Sequence, residues 1–231
     1  VSENFELYNQ SVYFPDLDIC VLSDLHLGLE DVLHNQRIHF PFNEEEIIID
    51  KLKKILRRFN PNYIFFNGDV LHSFEYIPDS VPKKIDRIIS ACGEDRCKFI
   101  NGSHDTMLPY ILQDRGYDVH DKLTIKDFVF YHGEKKVENR KCDFTIIGHD
   151  HPSIDILGQK FKCYLLSPEE KLMVLPAFSP LCEGTSINEM QSEDFMSPIL
   201  KEININDFKV FVEAENEIFE FPKLGSFKDK L

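Results

Sequence analysis

The chain has 231 residues, 42% of them hydrophobic and 20 of them Phe, which is ample for a folded core and excludes disorder as the main state. A net charge of −14 is the opposite of the basic excess found in proteins that grip duplex DNA without sequence preference. No apolar run reaches the roughly 18 residues of a membrane span, and the start VSENFELYNQ lacks a secretory pattern, so a cytoplasmic protein is expected.

In chain order, residues 18–23 (DICVLS) read as a buried strand feeding the polar DLHLG. Residues 43–59 read as an amphipathic helix, capped by Asn43 with Glu46 three residues on, its apolar face marked by Ile48, Leu52, Ile55, Leu56 and Phe59. Lys51, Lys53, Lys54, Arg57 and Arg58 are read as its solvated side. Pro61 opposes continuation of the helix, and 63–67 (YIFFN) is a second buried strand ending in Gly-Asp. A helix over about 82–91 follows, then a strand at 97–101, GSHD, and a helix near 106–115. Strands are expected at 127–131, 143–147, 160–166, 171–175, 207–213 and 217–221, with 183–198 as a polar surface loop. With no repeat or linker, residues 1–231 read as a single α/β domain.

The six cysteines form no CxxC pair or zinc pattern, which suits reduced structural thiols. Five of the nine histidines and five of the ten glycines fall in the clusters DLHLG, GD, GSHD, HG and GHDH, each at the end of an expected strand. Glycine lets the backbone turn sharply there, so that side chains on several loops converge over a rigid sheet. Asp24, His26, Asp69, His132, His149 and His151 supply two carboxylates and four imidazoles. That donor set suits manganese first, with iron, zinc or nickel as alternatives, and not calcium. Six donors exceed what one tetrahedral ion needs, so two divalent ions sharing one carboxylate are expected, a pairing that clamps phosphate and acidifies a bridging water. Any one cluster alone is as well explained by histidines capping loops; five in order are not.

The ordered set D-x-H, GD, G-N-H-D, H-G and G-H-x-H resembles the signature of the calcineurin-like metallophosphoesterases, matched here from Asp24 to His151. The resemblance implies a four-layer α-β-β-α sandwich with two facing mixed β-sheets and a metal site on loops at the C-terminal ends of strands. It implies that Asp24, His26 and His151 hold the first ion, that Asp69 bridges both, and that His132 and His149 hold the second. His104 would stabilise the transition state or protonate the leaving group, making His104 and Asp69 the catalytic pair. One departure is Ser103, which stands where the family carries an asparagine ligand to the second ion, leaving a shorter and poorer donor.

The stretch DLHLG, the loop with Arg37 and Pro41, GDVLHSF, and LPAFSP at 175–180 with Gly184 are similar to small archaeal phosphoesterases related to SbcD-type nucleases. They are also similar to bacterial phosphoesterases encoded beside DNA ligase and helicase genes. Such proteins have only the catalytic domain, and the resemblance leads to the expectation of a chain without a capping domain or coiled coil. The substrate implied is a phosphodiester or phosphomonoester, on a nucleotide or a nucleic-acid end.

Arg37, His72 and Asp105 are candidate substrate contacts, each with an ordinary surface, capping or structural role as its rival. Asp150, between two ligand histidines, is read as orienting one of them. Lys135, Lys136, Arg140 and Lys141 either guide a polyanion toward the metals or form a charged hairpin. The rival to an enzyme is a binding or scaffold protein with an impaired second metal site; Ser103 favours it and His104 opposes it.

Overall fold

The computed structural model describes residues 4–73, 77–136, 144–215 and 217–228. Arg140, Lys141, Cys142 and Phe74 lie outside the described residues.

The first sheet runs β1 (Glu6–Tyr8), β2 (Ser11–Phe14), β3 (Ile19–Leu22), β4 (Tyr63–Asn67), β5 (Cys97–Ile100) and β6 (Val119–His120) in that spatial order. The first three strands pair antiparallel, and β3 through β6 are parallel. Strand alternation explains its double burial. Ile19 and Val21 point to the second sheet with Val12, Phe14 and Phe65, while Cys20 and Leu22 point to the helices with Ile64, Phe66 and Phe99. The β1–β2 hairpin was not among the expected elements.

Four helices belong to this half: α1 (Leu29–Asn35), α2 (Glu44–Phe59), α3 (Val81–Cys92) and α4 (Leu108–Gln113). Asn43 caps α2 by accepting the Glu46 amide at 3.0 Å, and Ile48, Leu52 and Ile55 are fully buried, as the spacing requires. Each such side chain contributes about 1.5–3 kcal/mol of transfer free energy. Lys51 corrects the expected solvated face. It lies on the buried stripe three residues after Ile48, is only 8% exposed, and donates from Nζ to the Phe178 carbonyl at 2.5 Å.

The second sheet contains β7 (Leu123–Ile125), β8 (Phe128–Phe130), β9 (Phe144–Ile147), β10 (Pro152–Ile156), β11 (Gln159–Ser167), β12 (Leu172–Val174), β13 (Thr185–Ser186), β14 (Lys209–Ala214) and β15 (Glu217–Lys223). Its order is β13-β10-β11-β12-β9-β8-β7, with β14 pairing to β11 and β15 to β14. Parallel and antiparallel pairs mix within it, so both expected mixed sheets are present. Phe130, Ile146, Tyr164, Met173 and Leu175 meet the first sheet in the apolar layer between them.

The outer face of the second sheet is covered by the one-turn helix α5 (Pro198–Lys201) and by 3₁₀ turns at Ile187–Glu189, Ser192–Asp194 and Ile205–Asp207. This fourth layer is therefore made of short turns. It also corrects the expected surface loop at 183–198, because Ile187 and Phe195 from that segment are 0% and 1% exposed and pack on the sheet. No helix among the described residues is long and apolar enough to cross a membrane.

Candidate metal centre

Asp24 follows β3, Asp69 follows β4, His104 follows β5, His132 follows β8, and His149 and His151 follow β9, so every one stands at a C-terminal strand end. The two sheets meet here. Asp24 and His26 donate backbone N–H groups to Gly68 and Asp69 carbonyls, both at 3.0 Å, and the Gly148 amide donates to the His132 carbonyl at 2.8 Å. Beyond β12, Phe178 and Ser179 donate to the carbonyls of Ser23 and Asp24 at 2.8 and 3.0 Å, which fastens the LPAFSP segment against the first motif.

Asp24, His26, Asp69, His149 and His151 all adopt left-handed backbone conformations, with φ of 61°, 50°, 47°, 70° and 46°. Each costs on the order of 1–3 kcal/mol in a non-glycine residue, a strain that clusters where side chains must be aimed. Close approach sets the glycines. A Cβ on Gly148 would stand 1.9 Å from Ser23 Oγ and 2.6 Å from Asp24 Oδ2, and one on Gly68 would stand 2.4 Å from the His132 ring.

The predicted donors converge. Asp24, His26 and Asp69 form one group, and Asp69, His132 and His149 a second, with the donor atoms of each group all within 4.8 Å of one another. His151 joins the first group, its Nε2 lying 3.0 Å from Asp24 Oδ1 and 3.2 Å from His26 Nε2. His132 Nε2 lies 3.1 Å from both Asp69 Oδ2 and His149 Nδ1. Its Nδ1 lies 3.1 Å from the Asn67 carbonyl, which can only accept, so Nδ1 carries hydrogen and Nε2 faces the cluster.

These groups fit divalent ions on their own chemistry. Asp24 and Asp69 are 0% and 2% exposed, too buried to remain anionic without cations beside them. Burial raises the Asp24 pKa, but His151 and His132 outweigh it and hold the carboxyl below its usual range. Burial lowers the His132 pKa, but Asp69 and Asp24 overcome that and push it up to about 10. Imidazolium protons there stand where metal charge would. His26 behaves oppositely: burial drives it down to about 3, and its Nδ1 has no protein partner. A neutral imidazole is the form that ligates.

Ser103 places Oγ 3.1 Å from Asp69 Oδ2, beside the carboxylate shared by both groups. The His104 amide donates to Asp69 Oδ1 at 2.8 Å. His104 Nδ1 lies 2.6 Å from the His72 carbonyl, so it is the donor, and Nε2 stands 3.8 Å from Asp69 Oδ2. The half-buried His72 ring joins the edge of the site, with a donor atom within 4.8 Å of those of His26 and His104.

Other expected residues stand apart. Asp105 is 0% exposed and accepts the amides of Val70, Leu71 and Gly102, so it ties the second and third motifs together beneath the site instead of contacting substrate. Burial pushes its pKa up to about 7. Arg37 is exposed, and among the described residues no hydrogen bond or ion pair ties it to the cluster. Asp150 accepts from the Met196 amide at 2.6 Å and from Ser197 N and Oγ, so it anchors the segment leading into α5 instead of orienting a ligand histidine. Lys135 and Lys136 pair with Asp121 and Glu202 at 3.1 and 2.5 Å. Cys182 was not expected at the site. Its Sγ groups with donor atoms of His26 and His151 within 4.8 Å, a placement that no CxxC-type spacing could have signalled.

Residues 17–204 match the family described as calcineurin-like phosphoesterase. Among solved structures, the chain is similar to Pseudomonas putida nuclease MPE, with 17% identity, a TM-score of 0.65 and 94% of each chain covered. A phosphoesterase from E. coli, Yfce, aligns with 10% identity, a TM-score of 0.45, and 89% of this chain and 98% of that one covered. No curated protein sequence matches. With the family's ordered motifs gathered into one buried donor cluster and most of the chain matched, the protein belongs to the calcineurin-like phosphoesterases.

Proposed function

We propose that the chain is a metal-dependent hydrolase of phosphodiester or phosphomonoester bonds, acting as a single catalytic domain on nucleotides or nucleic-acid ends. The observation that carries this reading is the pair of donor groups sharing Asp69. Asp24, His26, His151 and Asp69 would hold the first ion, and Asp69, His132 and His149 the second. Divalent ions bound there supply Lewis-acid charge for the phosphoryl oxygens and lower the pKa of a water.

The chain's own residues do the rest. The left-handed loops aim the donors before substrate arrives, so little reorganisation remains for the reaction. His104, with Nδ1–H held by the His72 carbonyl, can carry a second proton on Nε2 and pass it to the leaving oxygen. The nuclease resemblance supports a nucleotide-containing substrate, and the net charge of −14 favours a small or single-ended one over lengthwise grip of a duplex.

The test is metal-free protein reloaded with manganese and assayed on bis-p-nitrophenyl phosphate and p-nitrophenyl phosphate. Turnover that falls in His104→Ala supports the reading. Absence of turnover with any divalent metal, together with fewer than two bound ions, would favour the rival scaffold reading that Ser103 suggests.

A further inference from the structure

We propose that Cys182 is a further donor to the first ion and biases that centre toward thiophilic metals, zinc or cobalt, over manganese. The inference rests on the metal reading above and adds to it a residue from another part of the chain. At a tetrahedral ion, Zn–S and Zn–N bonds of about 2.3 and 2.0 Å place the two donors about 3.5 Å apart. The His26, His151 and Cys182 donor atoms lie within 4.8 Å of one another, so a closure of up to about 1.3 Å completes the set.

The backbone holds Cys182 at that spot from both sides. Ahead of it, the Phe178 and Ser179 amides are bonded to Ser23 and Asp24 carbonyls, on the loop that bears Asp24 and His26. Behind it, the Thr185 amide donates to the His151 carbonyl at 2.8 Å. Gly184 makes the return turn at φ 88°, where a Cβ would meet that same carbonyl oxygen at 2.4 Å. Two lysines lock the approach, Lys51 on the Phe178 carbonyl and Lys162 on the Ala177 carbonyl at 2.8 Å. Residue 182 is thus fastened to the very loops that carry the first ion's ligands.

The partners suit it. His26 is 4% exposed, so a buried imidazole stands in one donor group with Cys182, and its Nε2 lies 3.2 Å from His151 Nε2 in that group. Among the described cysteines, Cys20, Cys92, Cys97 and Cys163 are buried in the apolar cores, whereas Cys182 is half-buried and belongs to none of the three apolar clusters. On coordination the thiol gives its proton to bulk water and binds as thiolate, a soft ligand that favours zinc and cobalt over manganese.

The experiment titrates metal-free full-length protein with Co²⁺ and records its absorption spectrum. The parent should show visible cobalt bands plus a near-ultraviolet thiolate-to-cobalt charge-transfer band. Cys182→Ser should keep the visible bands and lose the charge-transfer band, and its preference for zinc over manganese in competition should fall by about tenfold or more, the scale of a lost metal-site contact. Because Cys142 lies outside the described residues, Cys142→Ser is the control and should retain the band. Visible bands without charge transfer in the parent, or a band lost only in Cys142→Ser, would overturn the assignment and leave the metal site standing. No cobalt spectrum at all would overturn the metal reading itself.

Discussion

Ser103 Oγ sits 3.1 Å from one Asp69 carboxylate oxygen and 3.3 Å from the other, so a hydroxyl caps the residue that both donor groups share. It reaches the carboxylate but cannot extend past it as an amide side chain would, leaving Asp69, His132 and His149 as the second group's donors. Ser103→Asn should therefore tighten the second manganese by roughly tenfold, the lower end of what one metal-site contact is worth. Calorimetric titration checks this; unchanged stoichiometry and affinity would mean that the serine does not weaken the second site.

The His104 amide donates to Asp69, its Nδ1–H donates to the His72 carbonyl, and its Nε2 stands 3.8 Å from Asp69 Oδ2, on the donor cluster. His104→Gln should lower kcat by about 10²–10⁴-fold with bound metal retained. The loss should be larger for an alkyl leaving group than for p-nitrophenolate, because the poorer leaving group depends more heavily on the proton. Equal losses on the two would move His104 from the leaving oxygen to the phosphoryl group.

Gly148 has no room for a methyl group, since the Cβ position lies 1.9 Å from Ser23 Oγ. Gly148→Ala should destabilise the fold by about 1–3 kcal/mol through overpacking and displace the Asp24 carboxylate. Urea denaturation and metal titration read the two effects. An alanine variant with parental stability and metal content would show that the loop yields cheaply.

Glu44 gives a pH signature away from the metals. It is 0% exposed at the start of α2, with Oε1 near Ser179 Oγ and Oε2 unpartnered. Burial, opposed by Lys84 and aided by Glu30, raises its pKa from 4.5 to about 7. The folded state then binds more protons than the unfolded state between those values, so this residue's contribution makes stability decline as pH rises through that window and stay low above it. Glu44→Gln should remove that decline and gain on the order of 2 kcal/mol at about pH 8. Denaturation midpoints across the range check it, and parallel curves for parent and variant would contradict it.

The convergence of these Asp and His side chains was legible in sequence because each sits where an apolar strand stops near a glycine, a pattern local to a few residues. What stayed hidden depends on distant chain packing. Lys51 looks solvated beside Lys53 and Lys54, yet its position on the buried stripe of α2 sends its ammonium to the Phe178 carbonyl, far along the chain. Asp105 looked like part of the site because it adjoins His104, but its oxygens turn to three backbone amides below it. Cys182 carried no spacing signal, since its neighbours His26 and His151 come from two other loops. The polar stretch 183–198 hid Ile187 and Phe195, whose burial follows from the uncovered outer face of the second sheet.

Asp69 belongs to both donor groups, and on the proposed function it divides the cluster into two cation sites. Crystals grown with excess manganese and inorganic phosphate, measured for anomalous scattering, test it most directly. Two peaks about 3.5–4 Å apart are predicted, one bounded by Asp24, His26, Asp69 and His151 and the other by Asp69, His132 and His149. A single peak at saturating manganese, or peaks away from Asp69, would contradict it.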